Sequence, residues 1–122
     1  RKIFKKSLNP NKIKLNEKVC LAGLLTCNIT PEGRVNPCVQ IRIYNNNSLR
    51  KLTLKEIWQK NKYFNSLRKI KLKDMKECSV CKFISFCFLC RGMAYLEKKS
   101  LVVPYRPACH IAKIRYSIYK NN

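Results

Sequence analysis

The sequence predicts a small α+β domain stabilised by metal centres, and three observations support this fold class. The chain has 122 residues, the size of one domain, and eight of them are cysteines. An apolar segment interrupted by a proline–glycine turn predicts a β-hairpin in the N-terminal third. A capping box followed by apolar residues near helical spacing predicts a central helix. The predicted order is an N-terminal hairpin, the central helix, a cysteine-rich loop and C-terminal helices.

Residues 1–17 are basic and weakly patterned. We interpret them as a linker or edge element that enters from an upstream domain, and residues 18–122 as the metal-stabilised domain. Because the chain begins with Arg1 rather than Met, we expect it to be part of a longer polypeptide.

The predicted hairpin has strands near residues 25–29 and 34–39. Between them, Thr30-Pro31-Glu32-Gly33 is a turn signal, since proline presets φ and glycine accepts a positive φ. This pairing would bring Cys27 close to Cys38, and Cys20 would arrive from the preceding loop. We therefore expect three thiols to gather around the hairpin.

The central helix is predicted over residues 54–69. Thr53 and Glu56 form the capping box at its start. Trp58 is the largest apolar side chain on this helix, and we expect it to be a packing anchor rather than a binding residue.

A charged connector, residues 71–77, leads to the cysteine-rich loop. There four thiols occupy thirteen residues with the spacing C-x2-C-x5-C-x2-C: Cys78, Cys81, Cys87 and Cys90. We expect tight loops and turns here. The aromatic residues between the thiols suit a dry shell around a metal centre: Phe83, Phe86 and Phe88.

The C-terminal part is predicted to contain two helices. A short helix begins at Arg91 and ends near Lys99, and residues 101–103 are extended. Two prolines then stiffen the approach to Cys109, which opens a terminal helix over residues 109–120.

Three kinds of site compete for so many thiols: an iron–sulfur cluster, a zinc site or a disulfide framework. A disulfide framework requires a secreted context, and the sequence contains no signal peptide. Spacing alone leaves zinc and iron–sulfur at even odds, because eight thiols suffice for two tetrathiolate sites of either type. With six acidic residues and one histidine, the chain is poorly equipped for hydrolysis.

The formal net charge of +21 indicates an affinity for polyanions. Nucleic acid is nevertheless a disfavoured partner, because no helix-turn-helix, zinc finger or aromatic-studded basic sheet is visible. The most apolar run, residues 83–90, is far shorter than the roughly 20 residues that span a membrane. We expect a cytoplasmic protein without a membrane partner.

Five features in order resemble the SPASM domain, the C-terminal auxiliary-cluster domain of radical SAM enzymes that mature peptides and proteins. They are Cys20-x-Ala-Gly, then Cys27-x-Ile-x-Pro-x-Gly-x-Val-x-Pro-Cys38, then Leu54-x-Glu-Ile-Trp58, then the C-x2-C-x5-C-x2-C run followed by Arg91-Gly92-x-Ala94, and a late Cys109. The resemblance covers about residues 18–115. It favours iron–sulfur over zinc.

The resemblance implies two auxiliary 4Fe-4S clusters with interleaved ligands. Cluster one would be held by Cys20, Cys27, Cys38 and Cys90. Cluster two would be held by Cys78, Cys81, Cys87 and Cys109. The C-x3-C-x2-C signature of the cluster that cleaves S-adenosylmethionine is absent from this sequence. That cluster would therefore lie in an upstream barrel, and this chain alone is not expected to catalyse the radical step.

The functional hypothesis is an electron-transfer and substrate-positioning domain of a radical SAM enzyme that modifies a peptide or protein. Its expected partners are the upstream radical SAM barrel and the peptide or protein substrate. The alternative is a basic binding module stabilised by two tetrathiolate zinc sites, with nucleic acid as its conceivable partner.

Overall fold

The computed structural model describes residues 14–122. Residues 1–13 of the predicted linker lie outside the described residues. The segment that follows them runs beside the predicted connector: Lys18 bridges Lys71 in antiparallel fashion, and the amides of Leu72 and Lys73 donate to the carbonyls of Glu17 (3.1 Å) and Leu15 (2.9 Å). The start of the described chain is thus tied to the segment that leads into the cysteine-rich loop.

The predicted hairpin is present, with shorter strands than expected. Strand β1, Asn28–Ile29, pairs antiparallel with β2, Val35–Asn36. Gly33 takes a φ of 80° in the turn, which favours glycine, and its amide donates to Thr30 at 2.9 Å. Pro37 follows β2 directly and has no amide hydrogen to extend the ladder, which explains the early end of the second strand.

The prediction of one continuous helix over residues 54–69 is wrong, because the chain forms two helices. Helix α1, Leu54–Lys60, begins at the predicted capping box, and helix α2, Lys62–Lys69, follows after a break at Asn61. Asn61 has extended backbone angles (φ −67°, ψ 127°) and ends α1 while its side chain caps the amide of Tyr63 at 2.9 Å.

The cysteine-rich part contains more helix than predicted. A 3₁₀ turn, Leu72–Asp74, precedes the short helix α3, Lys76–Ser79, and a second 3₁₀ turn covers Ile84–Phe86. Helix α3 carries Cys78. Most of the loop is nonetheless turn and irregular chain, as expected.

Two further helices complete the chain. Helix α4, Arg91–Lys98, matches the prediction and ends at Lys99, whose φ of 54° is left-handed. Helix α5, Arg106–Lys120, begins three residues earlier than predicted, because Pro107 fits the first turn of a helix, where its missing amide hydrogen costs nothing. The segment 101–103 between them bends rather than running as a strand. Within residues 14–122, no helix combines the length and apolarity needed to cross a membrane.

The apolar side chains form two separate clusters. The first core cluster lies between the hairpin region and helices α1 and α2: Ala22, Val35, Ile41, Ile43, Ile57, Phe64 and Leu67. The second core cluster lies around the cysteine-rich loop: Leu72, Met75, Cys78 and Leu89. Trp58 packs partly buried against the first cluster, with its ring centroid 5.6 Å from that of Phe64, in agreement with the expected packing role.

Candidate metal centre

All eight cysteines lie among the described residues, and all eight are free thiols. The chain therefore does not have the disulfide framework that the cysteine count allowed. Among residues 14–122, no three Cys, His, Asp or Glu side chains are grouped closely enough to hold a single metal ion. Instead, seven of the thiols fall into two looser groups.

The first thiol group consists of Cys20, Cys38 and Cys90. Burial raises the pKa of the Cys38 thiol, and ionised Cys20 and Cys90 would raise it further, since both lie near enough for their charges to act on it. Cys20 and Cys38 also pack against the first core cluster. Residues more than fifty positions apart in sequence are thus neighbours here.

Local hydrogen bonds orient the sulfurs of this group. The backbone amides of Gln40 and Ile41 donate to Cys38, which lowers its pKa and partly offsets the burial. The Cys38 thiol donates to Oε1 of Gln40 at 3.3 Å. The Cys90 sulfur caps helix α4 by accepting from the Met93 amide at 3.4 Å.

The second thiol group consists of Cys78, Cys81, Cys87 and Cys109. Burial raises the pKa of both Cys78 and Cys87, and the ionised thiols of Cys81 and Cys109 would raise each further. Cys78 belongs to the second core cluster, and Cys87 packs against it. The backbone amide of Leu89 donates to Cys87 and lowers its pKa in part.

Cys27 stands apart from these groups because its side chain is exposed. It directly precedes β1, and extending the Asn28–Asn36 register by one residue sets it opposite Pro37, beside Cys38. The predicted approach of Cys27 to Cys38 therefore stays a prediction, since Cys27 lies just outside the paired residues and its side chain is exposed.

The expected aromatic shell is only partly formed. Phe86 is buried, and both Phe83 and Phe86 make edge-to-face contacts with Tyr116 of α5 at centroid distances of 5.3 and 5.6 Å. Phe88 is 44% exposed, so its assignment to a dry shell is wrong. It lies on the solvent side of the loop between Cys87 and Cys90.

Two neighbours of the thiols, although part of the motif that carries the family resemblance, were given no role at the site by the sequence-based prediction. Arg91 is only 1% exposed, and its charge interacts with thiols of both groups. Gly92 packs so closely on Cys38 and Gln40 that a Cβ at this position would stand 3.1 Å from the Cys38 sulfur. Their position directly after the last cysteine of the run was the available signal.

The donor set fits an iron–sulfur cluster. All eight sulfurs are unpaired, and seven are at least partly buried and grouped from distant parts of the chain. Backbone amides donate to three of them, those of Cys38, Cys87 and Cys90. Thiolates are the usual ligands of such clusters, and hydrogen bonds to the sulfurs are a usual part of their surroundings. A buried arginine beside thiols also indicates that negative charge belongs at this place.

Comparison with known proteins identifies the family. Residues 20–82, just over half of the chain, match SPASM, described as an iron-sulfur cluster-binding domain. The chain is 33% identical over 76 residues to an AdoMet-dependent heme synthase of Oleidesulfovibrio alaskensis and equally to one of Nitratidesulfovibrio vulgaris. Each match covers 62% of this chain but only 19% and 20% of the respective relative, so the chain spans about a fifth of their length. No solved structure matches the chain. The chain belongs to the SPASM family of iron–sulfur cluster-binding domains.

Proposed function

We propose that the chain binds two auxiliary 4Fe-4S clusters with interleaved ligands. One set is Cys20, Cys27, Cys38 and Cys90, and the other is Cys78, Cys81, Cys87 and Cys109. The observation that carries this proposal is the division of seven thiols into two groups, which coincide with three members of the first set and all four members of the second. We assign Cys27 as the fourth ligand of the first set from the family resemblance, and its position directly before β1 of the hairpin supports the assignment.

The proposed role is electron transfer together with positioning of the substrate. The clusters would supply reversible one-electron storage. Because four thiolates for each cluster leave no open iron position, electron transfer is favoured over direct coordination of substrate. The chain's own residues tune the sites: amides of Gln40, Ile41 and Leu89 donate to the sulfurs, and hydrogen bonds of this kind influence cluster potentials.

The proposed parent is a radical SAM enzyme that modifies a peptide or protein in the cytoplasm. An upstream barrel fits the small share of the relatives' length that this chain spans. Free thiols in this number suit a reducing compartment. The strongly basic composition would attract an acidic peptide or an acidic face of the barrel. A tetrapyrrole is the second candidate substrate class, because both relatives are named as heme synthases.

The upstream coding sequence tests the proposed parent. It is expected to encode a C-x3-C-x2-C motif within alternating strands and helices. An upstream region without that motif would remove the radical SAM assignment while leaving the cluster assignment in place.

Metal analysis of anaerobically purified protein separates the proposal from the zinc module, which the family match disfavours. A brown sample that dithionite bleaches, with about eight irons and matching sulfide for each chain, is expected. A colourless sample with about two zincs would support the alternative, because Zn²⁺ is d¹⁰ and redox-silent.

Single substitutions test the ligand partition. Cys38→Ala is expected to deplete one cluster, and Cys109→Ala the other, so that each variant retains about half of the iron and a different electron paramagnetic resonance signal. If both substitutions depleted the same signal, the interleaved assignment would be wrong.

A further inference from the structure

Arg91 is a fully enclosed arginine in a strongly basic chain. Its side chain is 1% exposed, although arginine is among the residues least often buried. Its Nε donates to the carbonyl of Leu89 at 3.0 Å, and its Nη1 donates to Leu101 at 3.1 Å and to Val103 at 2.8 Å. These three bonds hold the guanidinium in one orientation but provide no counter-charge.

The side chain lies where the two thiol groups meet. Cys90 of the first thiol group precedes Arg91 in sequence, and Leu89, which Arg91 binds, packs with Cys78 and Cys87 of the second thiol group. The thiols whose negative charges act on Arg91 come from both groups: Cys78, Cys87, Cys90 and Cys20. Burial lowers the pKa of Arg91, and these thiolates act in the opposite direction.

We propose that Arg91 is the shared counterion of the two thiol groups, a positioning residue whose buried charge raises the reduction potentials of both clusters. This inference rests on the proposed function. Eight thiolates around two 4Fe-4S cores would bring roughly four net negative charges into the domain. A guanidinium stays charged even when buried, so it offsets part of that charge without a change of protonation.

The sign of the effect follows from the electron balance. Reduction adds one electron to a cluster, and neither the chain nor Arg91 takes up a proton in that step. The added negative charge is stabilised by a fixed positive charge nearby, more so in a partly desolvated interior than in water. Removing the charge of Arg91 should therefore make both clusters harder to reduce.

The experiment is a redox titration of the holo-protein, followed by electron paramagnetic resonance, on the wild type and the Arg91→Gln and Arg91→Lys variants. Arg68→Gln is the matched control. Arg68 is also partly buried, and its Nε donates to the backbone carbonyl of Gly23. Its guanidinium, however, lies over the ring of Trp58, with Cζ 4.8 Å from the ring centroid. In Arg91→Gln we expect the equilibrium constant for one-electron reduction of each cluster to fall about tenfold or more, which is about 59 mV for a one-electron couple. Arg91→Lys should shift less, and Arg68→Gln should leave both potentials unchanged.

Each outcome is decisive. A shift of only one potential, or of neither, in cluster-loaded Arg91→Gln overturns the shared counterion and leaves the proposed function intact. Arg91→Gln could fail to retain its clusters. In that case, clusters retained in Arg91→Lys would support a requirement for positive charge at this position. Clusters lost from both Arg91 variants but kept in Arg68→Gln would assign Arg91 a purely structural role and overturn the proposal. A wild-type chain that lacks two clusters overturns this inference together with the proposed function.

Discussion

At the scale of single residues, position 92 requires glycine because there is no space for a side chain, and not because the backbone needs glycine's conformational freedom. An alanine Cβ there would stand 2.7 Å from Cβ of Gln40 and 3.1 Å from the sulfur of Cys38. Helix propensity alone favours alanine over glycine by about 1 kcal/mol. Overpacking a close contact typically costs about 1–3 kcal/mol, and here the nearest atom is a Cβ that moves only with its backbone. The steric cost therefore outweighs the gain in helix propensity.

We expect Gly92→Ala to lower occupancy of the cluster assigned to Cys38 while the other cluster is retained. The added methyl displaces the Cys38 sulfur from its place beside Cys90. Iron and sulfide content, with electron paramagnetic resonance of the reduced protein, measures this. Leu96→Ala is the control, because it changes an exposed residue of the same helix to alanine. Full occupancy of both clusters in Gly92→Ala would contradict the close packing.

The candidate ligands could be predicted from the sequence, but the way in which the fold groups them could not. Cysteine density and spacing singled out the thiols, because such a number of reactive side chains needs a chemical reason. Spacing could not predict that Cys87 and Cys90 belong to different thiol groups. That separation accompanies a left-handed Leu89 between them, with φ 47°, and no residue pattern predicts a leucine in that conformation.

At the scale of secondary-structure elements, the junction between α1 and α2 is held by one asparagine. Asn61 is 5% exposed, and its amide nitrogen donates to the carbonyls of Asn45 at 3.0 Å and Asn46 at 3.1 Å, while its oxygen caps Tyr63. Apolar periodicity continues across Asn61, so the pattern predicted a single helix. The break depends on tertiary contacts with the loop at 45–46, which periodicity does not report.

Replacing Asn61 separates its two roles. Asn61→Ala loses the helix cap, worth about 1 kcal/mol, and two hydrogen bonds to the carbonyls of the exposed residues Asn45 and Asn46, worth about 0.5–1.5 kcal/mol each. We therefore expect a loss of about 2–3 kcal/mol in the free energy of unfolding. Asn61→Asp keeps the capping oxygen but not the amide donor, and its carboxylate faces two carbonyl oxygens, so capping alone should not rescue it. Denaturant unfolding of the holo-protein measures both, and a stable Asn61→Asp would show that the cap is the dominant contribution.

The capping box of α1 predicts a pH dependence of stability. The pKa of Glu56 is lowered because the Thr53 amide donates to its carboxylate at 2.8 Å, and the Thr53 hydroxyl donates at 3.1 Å. A carboxyl group whose pKa is depressed in the folded state stabilises the fold fully when the pH is above the group's ordinary pKa of 4.5. That stabilisation is lost as the pH falls through the lowered folded-state pKa.

Wild type should therefore be more stable than Glu56→Ala at neutral pH, and the difference in melting temperature should shrink as the pH falls below 4.5. Taking the difference between the two proteins removes acid effects common to both. Glu97→Ala, an exposed carboxylate of α4, is the control for loss of one negative charge. A difference that stays constant across the acid range would argue that Glu56 acts through packing rather than through its charge.

At the scale of the whole molecule, each of the two thiol groups brings together parts of the chain that are distant in sequence. The first thiol group joins the hairpin region to the start of α4, and the second joins the cysteine-rich loop to α5 through Cys109. Helix α5 itself buries only Ala108 and Ala112, while Ile111, Ile114 and Ile118 are 38–60% exposed. Apolar burial alone is therefore a weak anchor for this helix.

This arrangement predicts that each cluster protects a different part of the chain from trypsin. In Cys109→Ala, α5 should lose its cluster anchor and be cut after Lys113 and Arg115. The contacts that remain are the edge-to-face packing of Tyr116 on Phe83 and Phe86 and one hydrogen bond from Arg115 to the Phe86 carbonyl, at 3.2 Å, and they hold the helix less firmly than a ligated cysteine. In Cys38→Ala, the hairpin region should instead be cut after Arg34 and Arg42 while α5 stays intact. Limited proteolysis under anaerobic conditions, read by mass spectrometry, compares the variants with cluster-loaded wild type.

The interleaved ligation predicts opposite cleavage patterns, because local opening follows the anchor that has been lost. If both variants were cut at both places at equal rates, the domain would open as one unit, and the separate anchoring of hairpin and terminal helix would be wrong.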